Sequence, residues 1–424
     1  MTALKDRDYF TDFAVLREPY SFFEAMRAGG PIQPMHGRED FLIVTGFQEC
    51  LDILVNSDDF SSVIAVDPIA ELPFKPEGDD VSEQLDNYGG SGGILTQLLV
   101  AYDGEKHRAV RSLLNGMFRP TRLKENEEYM TKVAGQMVRE AAAKGGCELI
   151  TEIATPYVTL VIADLLGVPA EDRLKFMDVI AAGAPAGNMD QETTQQPTGS
   201  PLEFMGAFFF GYINDRRANP RQDVLSELAT ATYPDGSTPE VIEVVKAAMF
   251  LFAAGQDTSA KLLGNAMRYL TENPEMQRTL RADTSLIGPF LEETLRLEGS
   301  TKATFRIARR TKTVGGYEIK AGTKLVVALA AANRDPRRWE NAGEFQFRRE
   351  KINQHVAFGR GLHTCIGAPL ARAEVRVILE KFFEHTADIT LSPRHGAPGQ
   401  SDLTYESSYI IRGLEKLYVD FTPR

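Results

Sequence analysis

Residues 356–372 read VAFGRGLHTCIGAPLAR, and this stretch places Cys365 among the glycines at 359, 361 and 367. The chain has only two other cysteines, Cys50 and Cys147. Glycine permits tight turns and lets backbone come close to a flat ligand. The continuation APLARAEVRVILEKFF predicts a helix that runs away from Cys365. Free amides and the positive end of such a helix favour negative charge on the sulfur. Metal is bound by the thiolate rather than the thiol, so the setting points to a ligating sulfur in a pocket lined by Phe358. For Cys50 and Cys147 the expected role is that of a buried, inert side chain.

Working outward, the clearest helical pattern begins near STPEVIEVVKAAMF. Thr238 is placed to cap it, Pro239 suits its first position and Glu240 its first turn. The apolar periodicity continues to Glu272, where Asn273-Pro274 stops it. At about 1.5 Å per residue, this helix is on the order of 50 Å long and crosses a whole domain. DFLIVTG at Asp40–Gly46 and GGYEIKAGTKLVVAL after Arg296 read as short strands. The fold class is therefore mainly α with small β-sheets. Two irregular stretches, Val66–Gly93 and Ala182–Pro201, read as lids or binding loops.

Composition narrows the function. The 424 residues carry a formal net charge of −12, which argues against a broad nucleic-acid-binding surface. No run approaches the roughly 18 uninterrupted apolar residues of a membrane helix. The start, MTALKDRDYFTDF, has no basic segment followed by an apolar run, so no secretory signal is expected. Three cysteines make no disulfide framework, and a reducing, cytoplasmic setting is expected.

Three further stretches carry chemistry. AAGQDTS interrupts the long apolar helix with Gly255, Gln256, Asp257, Thr258 and Ser259. A hydroxyl beside a bent turn and a neighbouring acid suit oxygen binding and proton relay, although a polar helix face whose hydroxyls bond back to the preceding turn reads the same. FLEETLRLE sets Glu293 and Arg296 on one helical face, a spacing that a solvated surface pair also produces. DGEKHRAVR sets His107 and Arg111 four apart, as would a plain basic stripe.

The cysteine segment resembles the haem-binding signature of the cytochrome P450 family, Phe-Gly-x-Gly-x-His-x-Cys-x-Gly, at Phe358, Gly359, Gly361, His363, Cys365 and Gly367. The resemblance runs from about Asp103 to the C-terminus, with RRANPRQDVLSEL and LAAANRDP in the expected order. It implies a single domain over 1–424, with the long central helix lying over a haem. Cys365 is then the proximal thiolate ligand of haem b (iron protoporphyrin IX), which favours O–O cleavage. Phe358 and Gly359 are implied as cofactor contacts, and His107, Arg111, Arg306 and His355 as partners of the haem propionates. Asp257 and Thr258 resemble the family's acid–alcohol pair for proton delivery. Glu293 and Arg296 are implied to form a buried network with Arg349. One departure concerns the proline that many soluble relatives carry after the Glu-x-x-Arg helix, where this chain reads LRLEGSTKATF.

The implied activity is a monooxygenase hydroxylating an apolar small organic molecule, with substrate contacts at Ala254, Phe204, Phe208, Thr304 and Tyr409. The chain has no flavin or nucleotide fingerprint, so electrons are expected from a ferredoxin and its NAD(P)H-dependent reductase. Arg372 and Arg376, with Arg119 and Arg122, are the expected basic face for that acidic donor. Alternatives are a peroxide-driven peroxygenase, an isomerase using thiolate haem, or a non-catalytic haem-binding sensor. No nucleic acid or membrane partner is expected.

Overall fold

A computed structural model describes residues 3–91, 97–181, 188–189, 201–396 and 402–424. The central helix spans Val241–Glu272 and ends at Asn273, where the extended backbone before Pro274 cannot continue it. Its first turn lies two residues past the expected start. Pro239 lends its carbonyl to Arg217 Nη2 at 2.6 Å, Ser237 is held in a turn by Asp235, and Glu240 is extended.

Around this rod pack the helices Thr155–Leu165, Pro201–Ala218, Ile287–Glu298 and Ala368–His385, and Pro120–Lys144 lies along the last of these. Val244, Ala248, Phe252, Leu263, Met267 and Leu270 of the central helix are fully buried in this helical core. The run is thus buried on more than one face, and side-chain packing rather than intrinsic propensity supplies its stability.

A second layer is a five-stranded sheet in the order Ile32–Met35, Arg38–Val44, Lys324–Val327, Thr304–Ala308 and Phe60–Ser61. Arg38–Val44 and Lys324–Val327 pair in parallel and the other neighbours are antiparallel. One face is sealed by aromatics of the first forty-odd residues, Tyr9, Phe10, Phe22, Phe23 and Phe41, against Phe305. Two smaller sheets complete the fold, one of them joining Gly146–Glu148, Tyr418–Pro423 and Thr386–Leu391.

Of the two stretches read as lids, Val66–Gly93 is partly ordered by a helix over Ser82–Ser91. Arg309 and Arg310 pin it through Asp86 and Asp80. The other, Ala182–Pro201, lies outside the described residues apart from Asn188, Met189 and Pro201. Asn188 pairs with Ser408 as an isolated bridge. Among the described residues no helix is long and apolar enough to cross a membrane.

Candidate active site

Cys365 sits in the loop that connects a short 3-10 turn, Gly361–His363, to the helix Ala368–His385. Its amide donates to the Phe358 carbonyl at 2.9 Å, closing the loop on itself. Gly359 and Gly361 have φ of 66° and 74°, the left-handed region that glycine tolerates. At Gly361 a Cβ would stand 2.6 Å from the Leu54 carbonyl oxygen, so the loop is pressed against that backbone. The helix starts at Ala368, the first residue of the stretch read as helical, with Gly367 as its N-cap.

Cys365 is exposed to solvent by area, yet burial among the surrounding loops pushes its thiol up. A side chain both accessible and deep in protein lines an internal space. Amides of Gly367 and Ala368, with Arg111 and Arg372, pull the thiol back down. Across the fold, Ala254 is exposed in mid-helix on a rod otherwise well covered, so the central helix also opens there.

Near Cys365 lies a cluster of basic side chains, with Arg111 close enough to act on the sulfur. The rings of His107 and His363 are 4.2 Å apart, and Arg306 is 3% exposed. Burial, then Arg111, hold His107 down to about 4, and burial, then Arg306, hold His363 down to about 2. Burial lowers Arg306 to about 10, with Asp103 the charge that opposes it. Arg306 spends its bonds on the Phe305 carbonyl and Thr304 Oγ1, and Arg111 on the Thr364 carbonyl. His107 Nδ1 and His363 Nε2 are buried without any hydrogen-bond partner. Asp103, the nearby acid, is occupied by Ser61, the Ser62 amide and Arg309, and its Oδ1 stands 4.0 Å from His363 Nε2, beyond hydrogen-bond reach. Buried donors and cations without a carboxylate are costly, and an anionic group placed among them would satisfy both deficits. The donor set therefore fits the two carboxylates of a haem, with a sulfur ligand beside it.

His355 does not belong to this set. Its Nε2 meets Glu292 at 3.1 Å and its Nδ1 accepts from the Ala357 amide at 3.2 Å, so both ring nitrogens are engaged elsewhere. His363, inside the signature and two residues before the cysteine, is instead the histidine whose ring packs beside His107. Phe358 is half-buried under the Arg372 guanidinium, 4.6 Å from its ring.

On the central helix, Thr258 Oγ1 donates to the Ala254 carbonyl at 2.9 Å, and the Thr258 carbonyl accepts from Ser300 Oγ at 2.6 Å. Asp257 stands beside it, with Lys261 Nζ 3.7 Å from Oδ1. The sequence reading missed Ser300, Lys261 and Lys261's second partner, Glu406.

The Glu-x-x-Arg pair is wholly buried. Arg296 donates Nε and Nη2 to Glu293 at 2.8 and 2.7 Å, and Arg349 Nε adds a third bond at 3.2 Å. Arg296 also donates to the carbonyls of Asn333, Ala342 and Glu344. Asn333 in turn accepts the Val356 amide at 2.8 Å, which fixes the start of the cysteine loop.

Among the residues expected to contact substrate, Thr304 lies next to Arg306, and Ala254 faces the opening. Phe204 and Phe208 stack on each other at 4.7 Å and join Phe176, which meets Phe252 of the central helix. Tyr409 is a core residue: it is 6% exposed, its ring packs on Phe10 and Phe305, and its carbonyl accepts from Tyr9. Each arginine of the expected basic face meets a carboxylate of the chain: Arg372 with Glu292, Arg376 with Glu127 and Glu380, Arg119 with Glu227, Arg122 with Asp164 and Glu125. That face is neutralised within the molecule.

The family described as Cytochrome P450 matches residues 212–387. Cytochrome P450 144 of Mycobacterium tuberculosis is 30% identical over 421 residues, covering 98% of this chain and 92% of its own. The vitamin D(3) 25-hydroxylase of Pseudonocardia autotrophica is 28% identical over 435 residues, covering 100% of this chain and 98% of its own. Among solved structures, the substrate-free form of Mycobacterium marinum cytochrome P450 CYP150A6 superposes with a TM-score of 0.92 at 43% identity, covering 99% of this chain and 100% of that one.

Proposed function

Since the chain belongs to the cytochrome P450 family of haem-binding monooxygenases, we propose that it hydroxylates an apolar small organic molecule, inserting one oxygen atom of O2 into a C–H bond. The single observation that carries this reading is the polar set gathered beside an open Cys365: Arg111 and Arg306, whose hydrogen bonds go to uncharged groups, and His107 and His363, each with a buried ring nitrogen that has no hydrogen-bond partner. It matches the needs of haem b: cations for two propionates and one sulfur for the metal. Bound haem supplies the oxygen chemistry, and the protein supplies ligation, orientation and protons.

In this reading the whole chain acts as one domain. Cys365 holds the cofactor from the side of its own helix, its thiolate favoured by the Gly367 and Ala368 amides. Arg111 and Arg306 anchor the carboxylates by charge, and His107 and His363 by hydrogen bonds. We assign Asp257 as the acid and Thr258 Oγ1, which donates to the Ala254 carbonyl, as the alcohol of proton delivery. Ala254, Thr304 and the Phe204–Phe208 pair are the apolar wall we assign to substrate. A terpenoid, aromatic or steroid-like compound suits that wall, and the hydroxylation of vitamin D(3) by a relative supports the class. Electrons come from a ferredoxin-type protein with its NAD(P)H-dependent reductase, since the sequence holds no flavin or dinucleotide fingerprint. The three free cysteines support a reducing, cytoplasmic setting.

The test is spectroscopic. Wild type is expected to give the reduced-CO band of a thiolate-ligated haem, and Cys365→Ser to lose it. An unchanged band in the variant refutes the ligand assignment. Turnover with ferredoxin, reductase and NAD(P)H, compared with peroxide alone, separates the monooxygenase from a peroxygenase.

A further inference from the structure

Beside the proton-delivering pair lies a buried group of charges that the reading above does not use. Lys261, one turn beyond Asp257 and with a side chain 6% exposed, sets its Nζ between Asp257 Oδ1 at 3.7 Å and Glu406 Oε1, to which it donates a short hydrogen bond. Glu406 lies on the C-terminal turn, 145 residues from Lys261, with its amide bonded to the Gly413 carbonyl at 3.0 Å. The arrangement depends on a bare backbone: a Cβ at Gly413 would stand 2.1 Å from Lys261 Cδ, across the path of the lysine stem.

The charges do not balance. Two carboxyl groups share one ammonium, and Asp257 Oδ2 and Glu406 Oε2 are both buried with no donor. Such a group is relieved by one additional proton. From Asp257 and Thr258 as the proton-delivering pair, on which this step rests, we propose that Glu406 stores a proton for Asp257 and that Lys261 transfers it, both acting as positioning residues. The step balances without electrons. A Lys261 N–H bond breaks as an Asp257 O–H bond forms, and the Glu406 O–H bond breaks as the lysine regains its proton. Glu406 is left as a carboxylate, which water refills because its side chain keeps 11% exposure.

The electrostatics agree with a store that works near neutrality. Burial pushes Glu406 up to about 7, with Lys261 opposing and Asp257 and Glu415 adding to the rise. Lys302, whose own charge burial disfavours, also faces Glu406. Burial works against the charge of Lys261, and Asp257 and Glu406 outweigh it. A raised carboxyl is protonated below its folded value, so the store is full below about pH 7 and empties above it.

The experiment uses the haem-loaded enzyme in two measurements. Infrared titration of wild type is expected to show a protonated carboxyl band that disappears around pH 7 and is missing in Glu406→Gln. NAD(P)H oxidation with ferredoxin and reductase, no organic compound added, is expected to exceed that of Glu406→Gln by about tenfold below pH 7 and to converge with it above, a modest share of the range for general acid–base catalysis. Lys261→Met and Gly413→Ala are expected to give the same flat pH profile, and Glu406→Asp to restore the limb if Glu406→Gln fails to fold. A Glu406→Gln enzyme that keeps both the band and the neutral limb overturns the store. An Asp257→Asn enzyme with wild-type rate and solvent isotope effect overturns the proton-delivery reading itself, and the store with it.

Discussion

Removing the carboxylate at position 293 tests how the buried ion pair supports the cysteine loop. In Glu293→Ala, four donors lose their acceptor at once: Arg296 Nε and Nη2, Arg349 Nε and the Gln346 amide. At about 1.5–3 kcal/mol for each bond to a charged group, simple addition gives roughly 6–12 kcal/mol. That sum is an upper bound, since water and small shifts recover part of it, and single-partner deletions of buried pairs cost about 3–5 kcal/mol. The assay is built into the molecule. Trp339 is the only tryptophan, 2% exposed, and the Arg296 guanidinium lies 5.6 Å from its ring. Urea unfolding followed by tryptophan fluorescence is expected to shift its midpoint down by about 1–1.7 M, taking an m-value of about 3 kcal/mol/M. Haem retention should fall too, because Arg296 reaches the cysteine loop through Asn333 and Val356. A midpoint shift under about 0.3 M with unchanged m would refute the argument that the pair holds this region.

Two other perturbations separate the groups assigned to haem from those assigned to the frame. Arg306→Ala and His363→Ala are each expected to speed haem transfer to apomyoglobin by roughly 10- to 100-fold, the loss of one charge-assisted bond. His355→Asn should leave that rate near wild type while lowering stability through Glu292; equal effects from all three would refute the exchange of His355 for His363. Burial pushes Glu374 up to about 8, with Ser259 opposing. Its folded value exceeds its ordinary one, so its contribution is present below about pH 4.5 and is lost as pH rises toward 8. Glu374→Gln is expected to flatten the decline of the urea midpoint between about pH 4.5 and 8, and an unchanged slope there would count against a protonated Glu374.

What the sequence made legible is what is local in the chain. Gly359, Gly361 and Cys365 lie within seven residues, and their backbone demands are written in residue type. Asn273-Pro274 announces the end of the central helix because the restriction is steric and acts on the next residue. The start was misjudged because Arg217, more than twenty residues upstream, takes the Pro239 carbonyl. His355 precedes the signature along the chain but turns to Glu292 on another helix, a contact that no local pattern announces. Lys261 was readable from its i,i+4 spacing to Asp257; Glu406 was not, since the contact is made only by the folded C-terminal turn. Arg372 and Arg376 read as a free face because Glu292 and Glu127 are distant in sequence, although Glu380, four residues after Arg376, was readable from its spacing.

The buried cations divide by what answers them, and the division says what the protein was built to hold. Arg296 has Glu293, and Arg412 has Glu298 at 2.8 Å with Glu18 beyond. These charges are closed within the chain and serve the frame. Arg306 is buried as deeply, yet its hydrogen bonds go to a carbonyl and a hydroxyl, and the two histidines beside it carry orphaned nitrogens. A frame residue in that condition would cost stability with no return, because burying a guanidinium is tolerated only when a partner compensates it. Such a deficit makes sense where the partner comes with the ligand, and in the proposed reading the two carboxylates of haem are that partner. The Asp257–Lys261–Glu406 group has the opposite excess, two acids to one base, on the helix across the opening. Around Arg306 the missing acid leaves a place for an anion, and around Lys261 the second carboxyl group leaves a place for a proton.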